Sequence, residues 1–109
     1  MDELRIYFSD DTELIEYEAI MKGYREDVYV YLKENVYKMS VYTLIRLQQD
    51  FDTELQVSGY YSVEPNLILV KETSKFEITR TINKLFSQGY FQRIKGINNI
   101  DLSQMIKIQ

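Results

Sequence analysis

The sequence predicts an α+β domain: a mostly antiparallel sheet, a β-meander, packed on one face by a capped helix over 75–88, with a short helix over 44–54. Three observations lead there. Apolar and polar residues alternate strictly over 27–44, the mark of half-buried strands. Ser74 is followed by Glu77 and then by an Ile78, Ile82, Leu85, Phe86 stripe, the signature of a capped amphipathic helix. One proline, Pro65, and four glycines in 109 residues, with no linker or repeat, leave no internal boundary, so 1–109 reads as a single domain.

Leu4-Arg5-Ile6-Tyr7-Phe8 alternates and is expected as a first strand, with Leu4, Ile6 and Phe8 inward. Ser9-Asp10-Asp11-Thr12 is a turn cluster. Residues 14–24 fit two periods. As a strand, Ile15, Tyr17, Ala19 and Met21 face in while Glu16, Glu18 and Lys22 face out. As a helix, Asp11-Thr12 caps it and Leu14, Tyr17 and Met21 form a stripe. The strand is preferred, because the following hairpin extends it into a meander, with 23–27 as the connection. In the hairpin, a two-residue loop at Glu34-Asn35 pairs Leu32 with Tyr37, Val30 with Met39 and Val28 with Val41. The opposite face then carries Tyr29, Tyr31, Lys33, Lys38, Ser40 and Tyr42. After Thr43 the period lengthens: Leu44, Leu47, Phe51 and Leu55 recur at helical spacing, with Thr43 as the cap. A polar loop over 56–64 leads to a continuous apolar run over 66–70, expected as a strand buried on both faces. Gly89 is placed to end the helix over 75–88 in a left-handed conformation. Residues 90–94 read as a final strand or an extended strap, and 97–108 as a short helix or loose tail.

Composition narrows function further. Apolar residues make up 45% and charged residues 28%, as in ordered globular domains. Histidine, cysteine and tryptophan are absent, which removes the common zinc sites, thiol nucleophiles and Ser-His-Asp arrangements. No apolar run has membrane-spanning length, the start Met-Asp-Glu-Leu-Arg lacks a signal-peptide pattern, and the missing cysteines suit a reducing cytosol, so a cytoplasmic protein is expected. Net charge is −4, split into −6 over 1–34, −2 over 35–70 and +4 over 71–109. Such asymmetry steers a basic partner toward one end.

Two groups of residues stand out as candidate binding sites. Tyr29, Tyr31 and Tyr42 offer a recognition face with rigid aromatic anchors. Asp10, Asp11, Glu16 and Glu18, with Glu13, offer an acidic surface for a basic protein. Their spacing does not match a calcium loop, so no metal or cofactor is expected. Glu16 and Glu18 could form a paired-carboxylate acid/base site, but no other catalytic group accompanies them, so no enzyme is expected. Aromatics on an open sheet suit single-stranded nucleic acid. The acidic half of the chain opposes that, since Lys71, Lys75, Arg80, Lys84, Arg93 and Lys95 gather around the helix, so no nucleic-acid partner is expected. The alternative is a homodimer of structural or regulatory role, paired through the tyrosine face.

The stretch Tyr37-Lys38-Met39-Ser40-Val41-Tyr42-Thr43, the helix after it, Asn66-Leu67-Ile68-Leu69-Val70 and the capped helix together resemble a known layout. They are similar to bacterial immunity proteins of polymorphic-toxin systems, the family catalogued as immunity protein eight. The resemblance spans 3–94 and is densest over 36–51 and 66–85. In that family the strand commonly ends in Cys-Thr-Pro before a Trp-Leu pair. Thr43 and Leu47 fit those places, while Tyr42, Leu44 and Arg46 depart from them. The resemblance implies a cytosolic, non-enzymatic protein that binds and blocks one toxin domain, often a basic nuclease.

Overall fold

Alternation builds the centre of the molecule, a computed structural model that describes residues 3–97 and 100–109. Strands β1 (Arg5–Phe8), β2 (Tyr24–Leu32) and β3 (Asn35–Tyr42) run antiparallel, with Ile6 opposite Val30 and Val28 opposite Met39. The order across the sheet is β4-β3-β2-β1-β5, where β4 (Leu67–Leu69) lies parallel to β3 and β5 (Ile106–Lys107) antiparallel to β1. Three α-helices accompany this five-stranded sheet among the described residues, and the α+β class holds.

The hairpin keeps its expected faces but not its expected pairing. The turn falls on Lys33 and Glu34, both at positive φ (50° and 65°), so Leu32 pairs with Asn35 and Val30 with Tyr37. This slides the partners by two residues, which leaves the strand side chains on their own faces, while Lys33, expected beside the tyrosines, lies in the turn. Nearer the other end, an irregularity between Arg25 and Val28 sets three steps of β2 against two of β3. This bulge turns Arg25 onto the buried side of the sheet.

The expected strand over 14–24 is a helix. Helix α1 (Glu13–Lys22) starts where the Thr12 side chain accepts from the Ile15 N–H and ends at Gly23 in a left-handed conformation. The cap and the glycine decide between the two periods. Residues 24–27, expected in a connection, belong to β2.

Helix α3 (Lys75–Ser87) lies over the sheet face formed by Leu4, Ile6, Phe8, Val28, Val30, Leu32, Met39 and Val41. Its Ile78 and Ile82 are fully buried there, each contributing about 1.5–3 kcal/mol of burial. Ser74 accepts from the Glu77 N–H, as the sequence suggests, but Glu77 itself pairs with Lys71 and Arg80. Gly89 follows at φ 75° and leads into a 3-10 turn (Tyr90–Gln92), not a strand or strap. That turn buries Phe91 against Tyr37.

Two further expectations are corrected at the edges. Residues 66–70 form an edge strand of three residues, with Leu69 48% exposed, and not a strand buried on both faces. The tail over 97–108, expected as a short helix or loose end, is tied to the sheet at two points: Ile97 bridges to Val36, and after a turn at Ser103 and Gln104 strand β5 closes the β1 edge. Asn98 and Asn99 in that stretch, and Met1 and Asp2 at the start, lie outside the described residues.

Candidate functional site

The sheet face turned away from α3 carries two cross-strand rows. Lys38, Tyr29, Tyr7 and Lys107 stand opposite one another across four strands. Val36, Tyr31 and Arg5 form the next row, with the Arg5 guanidinium 5.6 Å from the Tyr31 ring centre. The tyrosines are half-buried by this mutual packing. Tyr29 and Tyr31 therefore lie together on an open face, as expected, beside Lys38, Lys107 and an Arg5 that pairs with Glu3 at 3.5 Å.

Tyr42 is the exception. It is buried, stacked on Tyr24 at 5.5 Å, and its hydroxyl donates to Glu26 Oε1 at 2.7 Å. Burial, then the Glu26 bond, pushes its phenol far above the usual tyrosine range. Placing Tyr42 on the exposed face is thus corrected. The cause is helix α2 (Leu44–Ser58), whose first turn covers that end of the sheet. There Arg46 lies 4.4 Å over the Tyr24 ring, donates to the Lys22 carbonyl, and pairs with Asp50 at 2.9 Å.

The acidic candidates lie in another part of the molecule, and most hold the fold together. Asp10 accepts from the Thr12 N–H at 2.7 Å, and hydrogen bonds from Thr12 keep its carboxyl below the usual range. Asp11 pairs with Lys75 at 2.8 Å. Glu16 caps α3, with both carboxylate oxygens 3.0 Å from the Lys75 backbone nitrogen, where the helix dipole favours an anion. Glu18, like Glu13, has no hydrogen bond or ion pair among the described residues. Glu16 and Glu18 therefore do not share one strand face.

Arg25 organises this corner, and sequence reasoning missed it. Only 4% exposed, it forms a bidentate pair with Asp27 (2.7 and 3.2 Å), donates to the Asp10 carbonyl, and lies 4.0 Å over the Phe8 ring. Burial alone would raise Asp27, but hydrogen bonds from Arg25 and Ser9 outweigh it and hold the carboxyl below its usual range. The signal was weak: an arginine beside Glu26 and Asp27 reads as surface unless the bulge is foreseen.

Helix α2 is the second feature that the sequence did not disclose. Its stripe reads as core, yet Leu44 is 64%, Phe51 40% and Leu55 41% exposed, and no residue of α2 is buried. The return loop sets Tyr61 and Val63 beside Leu44, Leu47, Gln48 and Phe51, leaving a groove of about 230 Å³. Helix α1 likewise exposes Leu14, Tyr17 and Met21. A cavity of about 590 Å³ lies elsewhere, between the β2–β3 turn and the end of α3, walled by Leu32, Tyr37, Phe86, Phe91 and Ile94.

Among the described residues no group of three or more carboxylates converges on a metal-sized site, and no helix is long and apolar enough to cross a membrane. The arrangement offers two surfaces for contact: an aromatic sheet face flanked by cations, and an apolar helix flanked by acids. No protein-family model, no curated protein and no solved structure matches this chain.

Proposed function

We propose that this chain is a non-catalytic binding protein that neutralises a cognate toxin domain, an immunity protein acting in the bacterial cytoplasm. The observation that carries the reading is the apolar stripe of α2, of which Leu44, Phe51 and Leu55 are exposed and Leu47 only half-buried. An amphipathic helix normally buries such a stripe, and a contiguous exposed apolar patch marks a site of association. The likeness of 36–51 to the immunity family falls on β3 and the first half of this helix, which supports the same reading. A sequence without histidine or cysteine adds support for binding over chemistry. The expected toxin is basic, and a nuclease fits that description.

The test is genetic and biochemical. Expression of the C-terminal domain encoded directly upstream should arrest bacterial growth, and co-expression of this chain should restore it. A stable complex should co-purify. Failure of both rescue and co-purification sinks the reading.

A homodimer is the second reading, favoured by one observation. Leu47, Phe51 and Leu55 are evenly spaced about Phe51, so an antiparallel copy of α2 would set each leucine against the other. Sedimentation at tens of micromolar that shows only monomer removes it.

A further inference from the structure

We propose that the groove between α2 and residues 61–63 is the docking site for a basic protein partner. The partner inserts an apolar side chain among Leu44, Leu47, Phe51, Tyr61 and Val63, while its cations meet Asp52 and Glu54. This rests on the reading of the chain as a neutralising binding protein and assigns that protein's contact surface.

The first argument is size. At about 230 Å³ the groove falls below the ~300–1,000 Å³ typical of small-molecule and cofactor sites, and it is walled mainly by apolar side chains. A single protein side chain, anchored from a larger surface, is the occupant that suits it.

The second is charge. At about 100° per residue, Asp52 and Glu54 flank the Leu44–Leu47–Phe51–Leu55 stripe on its two sides. Asp52 accepts only from the neutral Gln48 amide, at 3.0 Å, and Glu54 has no ion pair among the described residues. The one cation of α2, Arg46, is held on the anchored side by Asp50, Tyr24 and the Lys22 carbonyl. The rim therefore carries uncompensated negative charge. A second copy of the chain would bring these acids against their own duplicates, whereas a basic surface is attracted to them.

The third is the contrast with the tyrosine face, whose rim holds Lys38 and Lys107 beside an Arg5–Glu3 pair and so is the less complementary to a basic protein. Of the acids that the sequence nominates, which lie elsewhere, Asp10, Asp11 and Glu16 are already hydrogen-bonded, paired or capping, and Glu18 stands outside this groove.

The experiment uses the upstream-encoded domain as probe, titrated by interferometry against the whole chain and three variants. Asp52→Lys with Glu54→Lys should weaken binding at least about tenfold, and Phe51→Asp about a hundredfold or more. Raising salt from about 50 to about 500 mM should slow association with the unaltered chain and leave the double variant nearly insensitive. Tyr29→Ala, on the sheet face, should bind within about threefold of the unaltered chain. Since Phe51 and Asp52 are exposed and Glu54 is half-buried, urea midpoints should differ little; if Phe51→Asp unfolds, the double charge reversal decides alone. Unaltered binding by the α2 variants overturns the inference and leaves the neutralising role standing. No binding by the unaltered chain overturns both. A dimer in sedimentation that Phe51→Asp abolishes also overturns the inference, by giving the groove to a second copy.

Discussion

Arg25 is 4% exposed yet carries a full charge, so its partners decide whether the corner between β1, α1 and β2 is stable. Asp27 supplies the bidentate pair, and the side chain of Asp27 is 26% exposed, which screens part of the interaction. Removing one partner of a buried pair leaves the other desolvated and uncompensated. Asp27→Asn should therefore cost about 2–3 kcal/mol at pH 7, discounted for that exposure, measured by urea unfolding. The sign of the pH dependence follows from the lowered pKa of Asp27. Its contribution is fully present above the unfolded value of about 3.9 and is lost as pH falls through the folded value. The gap between native and variant should accordingly close below about pH 4. Gly23 is a second exacting position. It sits at φ 76°, and a Cβ there would lie 2.8 Å from Thr43 Oγ1, so only glycine lets the end of α1 meet the start of α2.

The helices differ in what they give to the fold. Ile82 of α3 is fully buried, so Ile82→Ala should cost about 2–5 kcal/mol through lost burial and a cavity. Phe51 of α2 is 40% exposed, and Phe51→Ala should cost less than about 1 kcal/mol. Paired urea titrations that give equal losses would mean that the α2 stripe serves the core after all. These elements also show how far the sequence could be read. Strand β1, the hairpin faces and α3 were legible because burial imposes one clear period on each. Helix α1 was not, because Ile15, Tyr17, Ala19 and Met21 alternate while Leu14, Tyr17 and Met21 also fit a helical stripe. The structure buries only Ala19 of that helix, so neither apolar pattern reports a core face. The hairpin slip by two residues was invisible for a related reason: period-2 patterning is blind to even shifts. The candidate site was the least legible part, since an amphipathic stripe looks the same whether the chain or a partner covers it.

At the scale of the molecule, charge and aromatic surface separate. In the N-terminal third Glu16 and Asp11 hold the start of α3 and Asp27 holds the buried Arg25, so much of the −6 over residues 1–34 lies away from Tyr29 and Tyr31. An acidic, tyrosine-rich surface is thus two surfaces of opposite rim. Topology adds a mechanical contrast. Helix α2 is the crossover between parallel strands β3 and β4, yet beyond its first turn it covers little of the sheet. Few buried contacts mean low local stability. Amide exchange of the free protein should be faster along 48–58 than in α3 by at least about tenfold, and binding of a partner should slow it. Equal protection of the two helices in the free protein would show that α2 is held by the fold itself.

The two edge strands have one more consequence. Strand β4 has three residues and β5 has two, and the segment after β5 adds hydrogen bonds between Ile6 and both Ile108 and Gln109. Short edges offer little free backbone for another strand to join. Growth of the sheet by strand addition, whether by aggregation or by capture of an extended peptide, is therefore discouraged at both ends. Recognition by adding a strand to this sheet is thereby disfavoured.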